Sequence, residues 1–166
     1  MSRKADRDSK RRIFLAHASK DSAFVLRLGG VLKQHRVSFW YSPVHVLGAK
    51  QWHDEIGRAL EQCNWFLLVL SPHAVRSHWV KRELLFALNE RRYRDHIIPV
   101  LYQPCNYSQL SWTLPNLEMV DFTGNFELAC QQLLRIWNID MRPTSTSEMA
   151  KSSKMAKSSK IARKRH

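Results

Sequence analysis

Trp79 and Glu83 stand four residues apart, just after the segment Ser71-Pro72-His73-Ala74-Val75-Arg76-Ser77-His78. On a helix that spacing puts both side chains on one face, one turn from each other. A carboxylate fixed beside an aromatic face can hold hydroxyl groups and steady a positive charge that develops next to it. The ring meanwhile stacks on a flat ligand. The same residues also have a purely structural use. Ser77 can cap the helix, Glu83 lies close enough to its start for the dipole to favour an anion, and Trp79 can pack in the core. Spacing alone leaves both uses open.

Several other chemistries are excluded by what the remaining loops lack. His17-Ala18-Ser19-Lys20-Asp21 follows a short apolar run but has no Gly-rich phosphate cradle, so neither a P-loop nor a dinucleotide fingerprint is present. It also lacks an acidic pair for magnesium, which argues against a phospho-receiver. Cys63, Cys105 and Cys130 are odd in number, with no C-x-x-C and no paired His at ligand spacing. No metal site is expected. Cys63 and Cys130 fall on apolar helix faces and are expected as buried, reduced thiols.

The elements that must position these residues alternate along the chain. Ile13-Phe14-Leu15-Ala16 reads as a strand, and Phe24, Leu28, Val31 and Leu32 mark an amphipathic helix over 21–35, with Asp21 or Ser19 to cap it. Val37–Tyr41 is a second strand, in which Trp40 and Tyr41 must point opposite ways. Trp52, Ile56, Leu60 and Cys63 give a helix over 51–62. Trp65–Leu70 is apolar without alternation, as expected of a strand covered on both faces. Val80, Leu84 and Leu88 mark a helix over 79–92, and Ile97–Leu101 a fourth strand whose Pro99 predicts a place near a sheet edge. Leu117–Val120 reads as a fifth strand, and Phe126, Cys130, Leu133 and Trp137 as a last helix. Alternating strands and helices predict an open parallel α/β sheet with helices on both faces. Its binding crevice then lies at the carboxyl ends of the strands, at 16–20, 41–50, 71–78 and 102–112. The loop from Ser42 to Lys50 is long for a strand–helix connection.

Charge sits mainly at the ends. The 166 residues carry +13, of which residues 1–12 hold +4 and residues 141–166 hold +7, leaving +2 for the body. The tail repeats MAKSSK in tandem after a Pro-Thr-Ser-Thr-Ser linker and has no apolar periodicity. The expected organisation is a basic disordered arm over 1–12, one domain over 13–140 and a basic disordered tail over 141–166. Both ends could bind nucleic acid or other anionic surfaces, without base-specific stacking and in a salt-sensitive way. No apolar run approaches the ~18 residues of a membrane span. The basic N-terminus has no apolar stretch behind it, so a cytoplasmic protein is expected.

Three boxes in order carry a family resemblance. They are Ile13-Phe14-Leu15-Ala16-His17-Ala18-Ser19-Lys20-Asp21; then Trp40-Tyr41 through Gly48 to Trp52-His53-Asp54-Glu55-Ile56; then Leu70-Ser71-Pro72 running to Ser77-x-Trp79-Val80-x-x-Glu83. Over residues 12–138 the chain resembles a Toll/interleukin-1 receptor (TIR) domain, most closely the bacterial type that cleaves NAD⁺. It departs from the family pattern in the second box, where Ser42-Pro43 replaces a common Asp.

The resemblance implies a flavodoxin-like five-stranded parallel sheet in the order 2-1-3-4-5. It implies cleavage of the nicotinamide–ribose bond with Glu83 as the catalytic carboxylate of the Trp-x-x-x-Glu motif. Trp79 and Trp52 become aromatic walls, with His17, Tyr41, Ser42 and Lys50 binding substrate near the pocket mouth. NAD⁺ is then a substrate and no cofactor is implied. A carboxylate suits the oxocarbenium-like charge that builds on the ribose, and nicotinamide leaves neutral, so no strong general acid is needed. Attack by water gives ADP-ribose, and attack from within the dinucleotide gives a cyclic product. The family further implies assembly with other TIR copies and a role in defence or immune signalling. The alternative is a non-catalytic adaptor that works only through TIR–TIR self-association.

Overall fold

A computed structural model describes residues 11–41 and 49–141, the side chains of 49–52 excepted. Every residue of Ile13–Ala16 and of Phe66–Leu70 is buried. Strands with no polar face need cover on both sides. β1 (Arg12–Ala16), β2 (Ser38–Tyr41), β3 (Trp65–Leu70), β4 (Ile97–Leu101) and β5 (Val120–Asp121) form one parallel sheet. The strand order is β2-β1-β3-β4-β5, the flavodoxin-like order. The helices are α1 (Ser22–Gln34), α2 (Ala49–Gln62), α3 (Pro72–Arg76), α4 (His78–Asn89) and α5 (Phe126–Ile136).

Strand alternation sends side chains into two cores. On one face Ile13, Leu15, Leu67 and Val69 meet Phe24 and Leu28 of α1 and Cys130 and Leu133 of α5. On the other, Phe14, Ala16, Phe66 and Leu68 meet Ile56 and Leu60 of α2 and Val80 and Leu84 of α4. Glu83 therefore belongs to the α2/α4 side. Gly29 lies where α1 comes down on β2: a Cβ there would sit 2.8 Å from Phe39 Cζ. Cys63 and Cys130 are buried free thiols, which burial pushes up to about 11 and about 12.

Departures from the sequence reading have local causes. The expected 79–92 helix ends at Asn89, and a 3₁₀ turn follows over Arg91–Tyr93. Tyr93 is fully buried and its hydroxyl donates to the Leu60 carbonyl at 2.5 Å, which draws the chain inward and out of the helix. β5 is only Val120–Asp121, because two short 3₁₀ turns precede it in place of a longer run. Pro99 lies on the penultimate strand. The His96 carbonyl accepts from Phe66 N on the β3 side and the Leu101 carbonyl accepts from Phe122 N on the β5 side. By alternation the N–H that Pro99 lacks would face β5, which starts only opposite Val100. Asp21 precedes α1 without capping it, since its side chain serves another partner described below.

No helix among the described residues is long and apolar enough to cross a membrane. The expected arm (residues 1–10 of it) and the tail from 142 onward lie outside the described residues.

Candidate functional site

The segment after β3 is shaped by two serine caps. Ser71 Oγ accepts from Ala74 N at 3.0 Å and starts α3, and Ser77 Oγ accepts from Val80 N at 3.3 Å and starts α4. Two short caps in succession re-aim the chain, so that α4 presents Trp79, Arg82, Glu83 and Phe86 along one stripe. α2 answers with His53, Ile56, Gly57 and Leu60 at the same spacing. Together these stripes line a cavity of about 250 Å³. Ser77→Ala is expected to cost about 1 kcal/mol in thermal or urea unfolding, and Ser77→Asp to restore most of it, because a carboxylate caps equally well.

Glu83 is 6% exposed, and none of the hydrogen bonds or ion pairs among the described residues reaches it. Burial alone pushes its carboxyl from the ordinary 4.5 up to about 8. Trp79 is 36% exposed at the cavity rim. The His53 ring meets it edge-on at 5.8 Å, and the Arg82 guanidinium lies 5.4 Å from its ring centroid. The arrangement is a desolvated carboxyl under an aromatic rim, with a cation at the mouth. Such a site favours a flat ligand carrying a positive centre, which would draw the carboxyl into its charged form.

The other expected site residues fall elsewhere. The His17 and Tyr41 rings meet edge-on at 6.1 Å, and Tyr41 stacks on Phe39 at 6.0 Å on the α1/α5 face of the sheet. Neither lines the Glu83 cavity. Trp40 points the opposite way and stacks on Phe14 at 5.0 Å. Ser42 lies outside the described residues, as do the side chains of Lys50 and Trp52, whose backbone forms the first turn of α2. Burial holds His17 below its ordinary value, against the pull of its Leu15 carbonyl contact and of Asp21.

A polar pair beneath the strand ends was absent from the sequence reading. Ser71 Oγ donates to Asp21 Oδ2 at 2.5 Å, with both residues buried. The bond ties the β1–α1 loop to the start of α3. His53, Gly57, Arg82 and Phe86 were also missed. Their signal was the matched i, i+3, i+4, i+7 stripes of the two helices. Two larger cavities, of about 500 and 440 Å³, lie at the amino ends of β3 and β4 and along β2, and neither is lined by a buried carboxylate. Among the described residues no three His, Cys, Asp or Glu converge as a metal site.

A sequence model of the TIR domain matches residues 13–134. Solved structures show the same fold. The TIR domain of the Toll-related receptor TRR-2 from Hydra magnipapillata superposes with TM-score 0.62 at 20% identity, covering 75% of this chain and 96% of that one. The TIR domains of the activated Roq1 resistosome, which directly recognises the pathogen effector XopQ, give 0.62 at 16% identity, with 76% and 99% covered. A metazoan TIR-STING receptor from C. gigas, in complex with 2',3'-cGAMP, gives 0.57 at 19% identity, with 72% and 38% covered. A comparison with proteins of curated function finds no match.

Proposed function

The chain belongs to the TIR-domain family, and from that premise we propose that it cleaves NAD⁺ at the nicotinamide–ribose bond, with Glu83 as the catalytic carboxylate. The observation that carries the reading is the Glu83 carboxyl itself: buried, unpaired among the described residues, and set in a cavity rimmed by Trp79 and His53. Desolvation favours the neutral form of such a carboxyl, and a cationic substrate would draw it into its charged form. The cavity, about 250 Å³, is smaller than the roughly 300–1,000 Å³ that encloses a whole drug-sized ligand. It suits one ring with its sugar, so the rest of the dinucleotide extends past Arg82.

As the C–N bond breaks, its electron pair leaves with nicotinamide, which departs neutral, and positive charge collects on the ribose. Glu83 stabilises that charge and accepts from the ribose hydroxyls. Water then adds to the cation to give ADP-ribose, or the adenine nitrogen adds to give a cyclic product. Trp79, which lines the cavity and is partly exposed, would bias the choice by controlling water access. We place the activity in the cytoplasm, in defence or immune signalling, and in an assembly of TIR copies. His17, Tyr41, Ser42, Lys50 and Trp52 remain proposed substrate contacts in that assembled state.

A second reading, a non-catalytic adaptor, is favoured by Leu26 on α1 and Leu128 on α5, 60% and 63% exposed, which self-association would cover. Incubation of concentrated or surface-crowded protein with NAD⁺, followed by mass spectrometry, separates the two. Nicotinamide with ADP-ribose or its cyclic form supports the enzyme, and intact NAD⁺ under every assembly condition leaves the adaptor.

A further inference from the structure

Gly57 sits in the middle of α2, where glycine is a poor helix former relative to alanine. Two usual reasons for a helical glycine are absent here. Its backbone is not in the left-handed region, since no described glycine has positive φ. Nor does a neighbour press on it: a Cβ built at Gly57 meets no atom within 4 Å outside its own helix, whereas one at Gly29 strikes Phe39. What Gly57 does face is the Glu83 cavity, which it lines between Ile56 and Leu60 and across from Trp79 and Phe86.

We propose that Gly57 is a specificity-determining position: its missing side chain is part of the space that admits a planar ring beside Glu83. The inference deepens the reading of this cavity as the NAD⁺ site and takes its ligand from that reading. Ile56, Leu60, Trp79 and Phe86 make most of the wall apolar, with His53, Glu61, Arg82 and Glu83 completing it, and a Cβ at position 57 projects into that space with no atom within 4 Å outside its own helix. Substitution therefore strengthens the helix while it fills the site. Folding and binding move in opposite directions, which separates this role from a structural one.

The test is a series, Gly57→Ala and Gly57→Leu, with Gly30→Ala as a control. Gly30 is exposed on α1, and a Cβ there also meets nothing within 4 Å. All three should melt at or above the wild-type temperature, by roughly 2–4 °C for each alanine. Binding of nicotinamide, followed by ligand-observed NMR, should weaken from wild type through Gly57→Ala to Gly57→Leu, with at least a tenfold loss at leucine and none in Gly30→Ala. KM for NAD⁺ should follow the same order. Nicotinamide binding that Gly57→Leu abolishes, without NAD⁺ turnover by the wild type, upholds the role of Gly57 and removes the catalytic reading. Wild-type affinity in Gly57→Leu, an unfolded Gly57→Leu, or no nicotinamide binding by the wild type overturns it.

Discussion

Glu83→Gln is expected to abolish NAD⁺ cleavage and, at the same time, to stabilise the protein at alkaline pH. The activity loss follows from removing the buried carboxylate of the cavity, whose other carboxylate, Glu61, is exposed to solvent, and is expected to exceed about a thousandfold. The stability gain follows from linkage. Glu83 holds its proton up to about 8 in the folded chain but releases it near 4.5 when unfolded. Below 4.5 both states carry the proton and the residue makes no pH-dependent contribution. Between 4.5 and about 8 the unfolded state alone loses it, so stability falls as pH rises. At about 1.4 kcal/mol for each pH unit, the fall across that window is bounded near 5 kcal/mol. Glutamine has no proton to lose. Melting curves of the two proteins should run together in acid and diverge with rising pH, the variant above, until they become parallel past about 8. Parallel curves over the whole range would show that Glu83 is already charged in the free protein.

Ser71→Ala is expected to be the most damaging single change outside the hydrophobic core. Ser71 Oγ donates to the buried Asp21 carboxyl and also accepts from Ala74 N. Alanine removes both contacts and leaves a 2% exposed carboxyl without its hydroxyl donor. The cap contributes about 1 kcal/mol and the charge-assisted bond about 1.5–3, so a loss of roughly 2–4 kcal/mol is expected in urea unfolding. Asp21→Ala should be less than additive with it, since the two groups act on each other. A double-mutant cycle that closes with no coupling energy would contradict the pairing. The variants should also raise KM for NAD⁺, because the pair anchors the turn that leads into Trp79 and Glu83.

The parts of this architecture that were legible in the sequence are those written in periodicity. Trp65–Leu70 has no polar alternation and is the central strand covered on both faces. The apolar repeats of α1, α2 and α5 placed each helix within a few residues of its ends. Ser77 as cap, with Trp79 and Glu83 on one face of α4, followed from spacing. What escaped depends on contacts distant in sequence. Asp21 reads locally as a helix cap, but its partner is fifty residues away. Tyr93 ends α4 because a carbonyl of α2 accepts from it. α3 is a five-residue turn with almost no periodic signal. Glycine at 57 is silent in any hydrophobic pattern, and only the facing helix gives its absent side chain a meaning.

The most direct test of the central claim is nicotinamide release from NAD⁺ by the wild-type chain and by Glu83→Gln, assembled at equal density and shown by melting to be equally folded. The wild type should release nicotinamide in step with ADP-ribose or its cyclic form, and the variant should release none above the uncatalysed background. Equal release by both proteins would contradict the assignment of Glu83, and no release by either would contradict the activity itself.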